Sequence, residues 1–199
     1  MAMLKINTLH FHLTDDNGWR LEIKKYPRLT ETGAWRVNRK DVPFYFRRNP
    51  EPGEPTPIGG FYTQEDVKEM VAYAAERQIE IIPEIDMPAH SNAALAAYPE
   101  LTCPIVKSYI GVIPGLGGGN SGVIYCAGKD SAFTFLQNVL DEVMALFPSR
   151  YIHLGGDEAQ KGYWEKCPLC QARMKNEHLD NEEDLQGYFM KRMSDYVCS

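Results

Sequence analysis

From Leu9 to Thr14 apolar and polar side chains alternate without a break, with Leu9, Phe11 and Leu13 on one side and His10, His12 and Thr14 on the other. This period of two predicts a strand within Lys5 to Thr14. Asp15-Asp-Asn-Gly18 supplies turn chemistry, and residues 38–60, with Asn49-Pro-Glu-Pro-Gly-Glu-Pro-Thr-Pro-Ile-Gly-Gly60, are too rich in Pro and Gly for a regular element and read as a surface excursion. Thr63 and Asp66 form a capping pair ahead of Val67, Met70, Val71, Ala74 and Ala75, which predicts a helix over about 64–77. Ile79-Glu-Ile-Ile-Pro-Glu-Ile85 follows at strand length and runs into Asp86-Met-Pro-Ala-His90. The order then repeats. Ser131 caps a helix whose apolar positions Phe133, Leu136, Leu140, Val143 and Phe147 recur at helical spacing until Pro148 closes it. Tyr151-Ile-His-Leu154 reads as a strand leading into Gly155-Gly-Asp-Glu158, and helical stretches around 165–176 and 183–196 complete the chain.

Strands alternating with helices argue for parallel α/β units. The phosphate-binding G-x-G-x-x-G that favours an open doubly wound sheet is absent, and Gly115-Leu-Gly-Gly-Gly119 has no strand leading into it, so it reads as flexible backbone. Each of the three strands ends in His, Asp or Glu, the side on which α/β barrels assemble active sites. A closed barrel takes eight strands and about 250 residues. The expected architecture is therefore the (β/α)8 TIM-barrel type with only part of the barrel present, about three to four βα units, as one partial barrel domain over 1–199.

Composition narrows the classes. The chain has 199 residues, 44% apolar and 24% charged, which excludes disordered and low-complexity proteins. Lys and Arg total 21 against 27 Asp and Glu, a net charge of -6, and no basic stripe is interleaved with aromatics, so neither nucleic acid nor an anionic membrane is an expected partner. No run of about 18 apolar residues is present, and Met1 to His10 have neither the basic segment nor the apolar stretch of a signal peptide. Of the five cysteines, Cys103 and Cys126 flank the Gly-rich loop at a spacing open to a bridge in an oxidising compartment, whereas Cys167 and Cys170 form a lone C-x-x-C. Structural zinc takes four ligands, and His178 has no companion at ligand spacing, so a turn or a second disulfide is preferred and no metal or cofactor is expected.

The candidate chemistry lies in the acids and histidines at the strand ends. Two glycines before Asp157 and Glu158 let backbone approach a ligand closely while successive carboxylates leave in different directions. Adjacent acids raise each other's pKa, so one can donate a proton while its neighbour stays ionised, the division of labour that glycoside hydrolysis needs. Taken singly, strand histidines also fit as hydrogen-bonded core residues and terminal acids as caps. His10 reads as core, His12 and His153 fit either role, Asp16 and Asp86 read as turn caps, and Trp19 and Arg20 read as packing beside Leu21 and Ile23.

His153-Leu-Gly-Gly-Asp157-Glu158, preceded in order by Leu9-His-Phe-His-Leu-Thr-Asp-Asp-Asn-Gly-Trp-Arg20 and Ile82-Pro-Glu-Ile-Asp-Met-Pro-Ala-His90, resembles the catalytic domain of the β-N-acetylhexosaminidases, glycoside hydrolase family 20. Pro99-Glu-Leu-Thr-Cys103 and Tyr125-Cys-Ala-Gly128 are similar as well, so the resemblance spans nearly the whole chain. It implies an eight-stranded barrel and removal of terminal β-linked N-acetylglucosamine or N-acetylgalactosamine with the substrate's own acetamido group assisting. On this resemblance Glu158 is general acid and then base, Asp157 holds the acetamido N–H, Asp15 and His90 pair near Glu158, and His12 and His153 shape the pocket. It implies as partner an N-acetylhexosamine-containing oligosaccharide or glycoconjugate, with open barrel edges available for self-association, and a periplasmic, secreted or lysosomal parent enzyme. The family's first strand, with its sugar-binding arginine, and the later strands with their tryptophans, tyrosine and further acids have no counterpart here. A chain that lacks most substrate-binding groups and is inactive alone is therefore the alternative expectation.

Overall fold

The computed structural model describes residues 1–115 and 122–199, so the Gly-rich reading falls outside the described residues from position 116 onward. After a short 3-10 turn at Ala2–Leu4, strand β1 (Thr8–His12) leads to a tight hairpin of β2 (Thr14–Asp15) and β3 (Gly18–Trp19) around the Asp16-Asn17 turn. Helix α1 (Arg28–Glu31) and the paired strands β4 (Trp35–Arg36) and β5 (Ile58–Gly59) border the Pro-rich excursion, which is otherwise irregular apart from one 3-10 turn at Phe44–Phe46. The remaining elements are α2 (Gln64–Ala75), β6 (Glu80–Glu84), α3 (Asn92–Ala97), α4 (Asp130–Leu146), α5 (Pro168–Asn176) and α6 (Glu182–Val197), with a 3-10 turn at Pro99–Leu101.

β1 and β6 pair in parallel, aligning His10 with Ile82 and His12 with Glu84. The third segment joins β6 on its other side through a single parallel bridge, Glu84 to His153. It is held by His153 N donating to Pro83 O, Ile85 N to His153 O and Met87 N to Leu154 O. The expected strand over 151–154 is thus a short extended run with one ladder position, because the chain turns away at Gly155. The capping box on α2 forms as predicted, Thr63 Oγ1 accepting from Asp66 N while the Asp66 carboxylate accepts from Thr63 N. Ser131 does not cap α4. That helix starts two residues earlier, at Asp130 with Lys129 at the boundary, and Asp130 instead accepts from Arg173 and Arg192 at 2.8 and 2.7 Å, tying its first turn to α5 and α6.

α2 packs on β6 and α4, and α4 packs on α6. Phe133, Leu136, Leu140 and Val143 of α4 are fully buried in one continuous apolar cluster with Leu13, Leu21, Ile85, Met87, Trp164 and Phe189. The other face of the parallel strands is polar. β1 alternates exposed and half-buried positions, with His10 and His12 exposed and Leu9 and Phe11 turned toward the helices. His10 is therefore not a core residue. Trp19 and Arg20 do pack: Trp19 is buried with its indole N–H donating to Leu21 O, and the Arg20 guanidinium donates to Ala34, Gly60 and Asn17 carbonyls. No helix among the described residues is long and apolar enough to cross a membrane.

Candidate active site

Side chains two apart on a strand share a face, so His10 and His12 project together, and the β1–β6 register sets Glu84 opposite them. Glu84 Oε2 lies 2.7 Å from His10 Nε2 and 3.0 Å from His12 Nδ1, and Glu84 Oε1 lies 3.0 Å from His153 Nδ1. His153 Nδ1 is also 3.1 Å from the Gly155 N–H, so protonated it donates to Glu84 and unprotonated it accepts from Gly155. Three half-exposed imidazoles thus surround one carboxylate whose side chain is only 9% exposed. Burial pushes the Glu84 carboxyl up, but the hydrogen bond and charge of His12, with Asp86 and His153, outweigh it and hold the carboxyl below its ordinary range. For His12 burial pulls the imidazole down, and the Glu84 hydrogen bond with the Asp86, Glu84 and Asp15 charges raises it overall.

Asp86 is buried, with Oδ2 at 3.6 Å from His12 Nδ1 and Oδ1 without a hydrogen-bond partner. Its carboxyl is pushed up to about 7, first by burial and then by the Glu84 charge. It caps no turn: the strand carries it inward beneath Gly155, leaving no room there for a side chain. Asp16 is likewise largely withdrawn from water, which lifts its carboxyl to about 6, and it accepts from the Asn92 N–H at the start of α3. It serves the helix of another loop rather than its own turn.

One layer further out, His90 bridges two loops. Its Nδ1 lies 3.1 Å from Asp15 Oδ1, and its Nε2 lies 3.5 Å from Asp157 Oδ2 and 3.7 Å from Glu158 Oε2. The Asp15 hydrogen bond raises His90 to about 9 despite its burial, so the imidazole is cationic at neutral pH. Burial pushes the Asp15 carboxyl up, but the His90 hydrogen bond, the Asp16 N–H and both imidazole charges bring it below its usual value. His12 Nε2 at 3.5 Å from Asp15 Oδ2 links this layer to the Glu84 cluster.

The loop after the third segment is built from uncommon backbone. Gly155 and Gly156 have φ of 70° and 103°, and Glu158 and His90, which carry side chains, both sit at φ 50° in the left-handed region. Glycine adopts positive φ freely, but for the two residues with side chains the conformation costs about 1–3 kcal/mol each and persists only where surroundings enforce it. Here Gln186 of α6 donates to Gly156 O at 2.6 Å, and Met190 packs against the same glycine. The result presents Asp157 and Glu158 outward, with side chains 65% and 81% exposed.

The structure therefore gathers all six candidate residues, Glu158, Asp157, Asp15, His90, His153 and His12, at one end of the parallel strands. It adds Glu84 and Asp86, which the sequence reading did not place in the site. Their signal was present, two acids spaced two apart at a strand end, but the strand facing them could not be read. Among the described residues, metal-capable groupings fall at two places: three overlapping ones within this site (His10, Glu84 and His153; His12, Glu84 and Asp86; Asp15, Asp16 and His90) and one of cysteines. The ligand atoms of His10, Glu84 and His153 lie within 4.8 Å of one another, yet the imidazoles already satisfy that carboxylate. The second of these places corrects the cysteine reading: Cys103, Cys126, Cys167 and Cys170 are not two separate pairs but one buried cluster of free thiols.

The family model for the glycosyl hydrolase family 20 catalytic domain matches residues 1–199. A beta-hexosaminidase of Porphyromonas gingivalis is 49% identical over 96% of this chain and 22% of its own length, and one of Akkermansia muciniphila is 42% identical over 96% and 36%. The chain thus spans roughly a fifth to a third of the curated relatives it matches. Among solved structures, a beta-N-acetylhexosaminidase of Bacteroides fragilis aligns with a TM-score of 0.78 at 48% identity, covering 98% of this chain and 34% of that one. An exo beta-N-acetylglucosaminidase of Vibrio harveyi in complex with N-acetylglucosamine aligns at 0.79 and 36% identity, covering 98% and 29%.

Proposed function

The chain belongs to glycosyl hydrolase family 20, and from that premise we propose that it carries the acid–base machinery for releasing terminal β-linked N-acetylglucosamine or N-acetylgalactosamine from an oligosaccharide or glycoconjugate. Its architecture is part of a TIM-type (β/α)8 barrel, and the site lies on the side where such barrels do chemistry. The observation that carries the reading is His90, hydrogen-bonded to Asp15 on one side and turning its Nε2 toward the exposed Asp157–Glu158 pair at 3.5 and 3.7 Å on the other.

In this reading Glu158 donates its proton to the glycosidic oxygen as the bond to the anomeric carbon breaks. The substrate's acetamido oxygen attacks that carbon from the opposite face, so no enzyme nucleophile is required. Asp157 accepts a hydrogen bond from the acetamido N–H and stabilises the positive charge that develops in the ring. Glu158, now ionised, takes a proton from the water that opens the cyclic intermediate. His90, set by Asp15, positions the two acids, while His12 and His153, turned toward Glu84, form the floor of the pocket.

The exposure of both carboxylates favours a second reading, a chain that holds the acids yet lacks the walls to orient a sugar, since positioning supplies several kcal/mol of barrier reduction. Hydrolysis of an aryl β-N-acetylglucosaminide by the 199-residue chain, beside Glu158→Gln, separates the two. Turnover abolished by Glu158→Gln supports the first reading, and absence of turnover in the unsubstituted chain overturns it in favour of the second. The outer edge of β1, unpaired among the described residues and beside a groove of about 870 Å³ lined by Leu9, Phe11, Met70, Tyr73 and Ile81, supports the further proposal of self-association along that edge. Sedimentation across a concentration series tests it, and a monomer throughout would refute it.

A further inference from the structure

Four of the five cysteines converge where the segment after α3 and its following 3-10 turn, the segment leading into α4 and the start of α5 meet. Cys103, Cys126, Cys167 and Cys170 are each at most 1% exposed. Their sulfurs do not sort into two couples: Cys126 lies 3.8 Å from Cys167 and 3.6 Å from Cys170, and Cys170 lies 3.7 Å from Cys103. All four ligand atoms fall within 4.8 Å of one another. Zinc–thiolate bonds of about 2.3 Å at the tetrahedral angle give a sulfur–sulfur edge of about 3.8 Å. Three of the six sulfur–sulfur separations, at 3.6 to 3.8 Å, match that edge, and the other three lie within 4.8 Å.

The surroundings suit a buried tetrathiolate. Cys167-Pro-Leu-Cys170 has the two-residue spacing of structural zinc ligands, and it opens α5, whose N-terminus places partial positive charge beside both sulfurs. A Cβ at Gly128 would sit 2.2 Å from the Leu169 carbonyl carbon, so that position has to be glycine for the Cys126 and Cys170 backbones to close on one centre. The neighbouring segments are also tied by an antiparallel bridge between Thr102 and Tyr125, by Cys126 N donating to Leu101 O and Tyr125 N to Pro88 O, by Lys129 Nζ donating to Glu100 O and by the Trp164 indole donating to Tyr125 O.

The geometry points to a structural zinc site formed by Cys103, Cys126, Cys167 and Cys170. Binding releases the four thiol protons and involves no change of oxidation state. The site has no open coordination position, so its task is to clamp the loop that carries His90 to the loop that carries Asp157 and Glu158. It is independent of the proposed hydrolase activity and stands or falls by metal content.

The test is elemental analysis of the untagged chain purified without added metal, with a thiol count in denaturant plus chelator. The expected result is about one zinc per chain and five reactive thiols, of which only the exposed Cys198 reacts in the native protein. Cobalt exchanged for zinc is expected to give the visible bands of a tetrahedral tetrathiolate. Cys170→Ser is expected to lose the metal and Cys198→Ser to retain it. Should Cys170→Ser fail to fold, the metal and thiol counts of the unsubstituted chain still decide. Five thiols without metal would overturn the proposal in favour of a reduced apolar cluster, a single thiol without metal in favour of two disulfides, and stoichiometric iron would overturn zinc as the occupant.

Discussion

Asp15→Asn is the most informative perturbation of the site, because it removes a charge and leaves the shape. His90 stands at about 9 against an ordinary 6.5, chiefly through its hydrogen bond to Asp15. At 1.36 kcal/mol per pH unit that displacement corresponds to about 3 kcal/mol. The Asp15 side chain is 35% exposed, so solvent screening reduces the contribution to about 1–2 kcal/mol. The sign follows from proton binding. The folded state holds the His90 proton more tightly than the unfolded chain, so this stabilisation is complete below about pH 6.5 and is lost as pH rises through about 9. Asp15, held below its ordinary 3.8, contributes above that pH and loses its contribution as pH falls through its lower folded value. The stability gap between the unsubstituted chain and Asp15→Asn is therefore widest between about pH 4 and 6.5 and closes toward pH 9. Titration of the His90 ring by heteronuclear NMR is expected to give a midpoint near 9, falling by more than one pH unit in Asp15→Asn, with urea midpoints following the same window. A His90 midpoint near 6.5 in the unsubstituted chain, or one unmoved by the substitution, would refute the reasoning.

Three further outcomes follow from individual residues. Gly155→Ala places a Cβ 2.1 Å from Asp86 Oδ1 at φ 70°, so it is expected to cost at least about 1–3 kcal/mol, read as a lowered urea midpoint; an unchanged midpoint would contradict the packing described. Asp86→Asn removes a carboxyl pushed up to about 7 by burial and by Glu84. An acid with a raised folded pKa loses stability as pH rises from its unfolded value through the folded one, so the variant should gain on the unsubstituted chain between about pH 4 and 7 and be the more stable at pH 8. A stability difference that does not vary with pH would count against this. Thr63→Ala removes the acceptor for the Asp66 N–H at 3.1 Å and is expected to cost about 1 kcal/mol in denaturant unfolding, whereas a loss below a few tenths would show that the cap contributes little.

The elements governed by neighbours along the chain were readable from it. The period of two in Leu9 to Thr14, the capping pair Thr63–Asp66 and the helical spacing of Phe133 to Phe147 each rest on interactions within a few residues, so sequence alone determined β1, α2 and α4 to within about three residues of their ends. The motifs around Asp15, His90 and Glu158 likewise marked the strand ends at which the structure brings acids and imidazoles together. What pairs with what was decided only by the tertiary structure. The parallel register that sets Glu84 against His12 joins residues 72 apart, and no local signal encodes it. That register turned His10 from an expected core residue into an exposed one and drew Asp86 inward from an expected cap. It also decided the cysteines. Read along the chain, Cys103, Cys126 and the Cys167–Cys170 pair are separate features with too few ligands for a metal. Folding closes loops of 41 and 67 residues to bring them within 3.8 Å, because the clustering of thiols depends on which loops neighbouring strands place side by side.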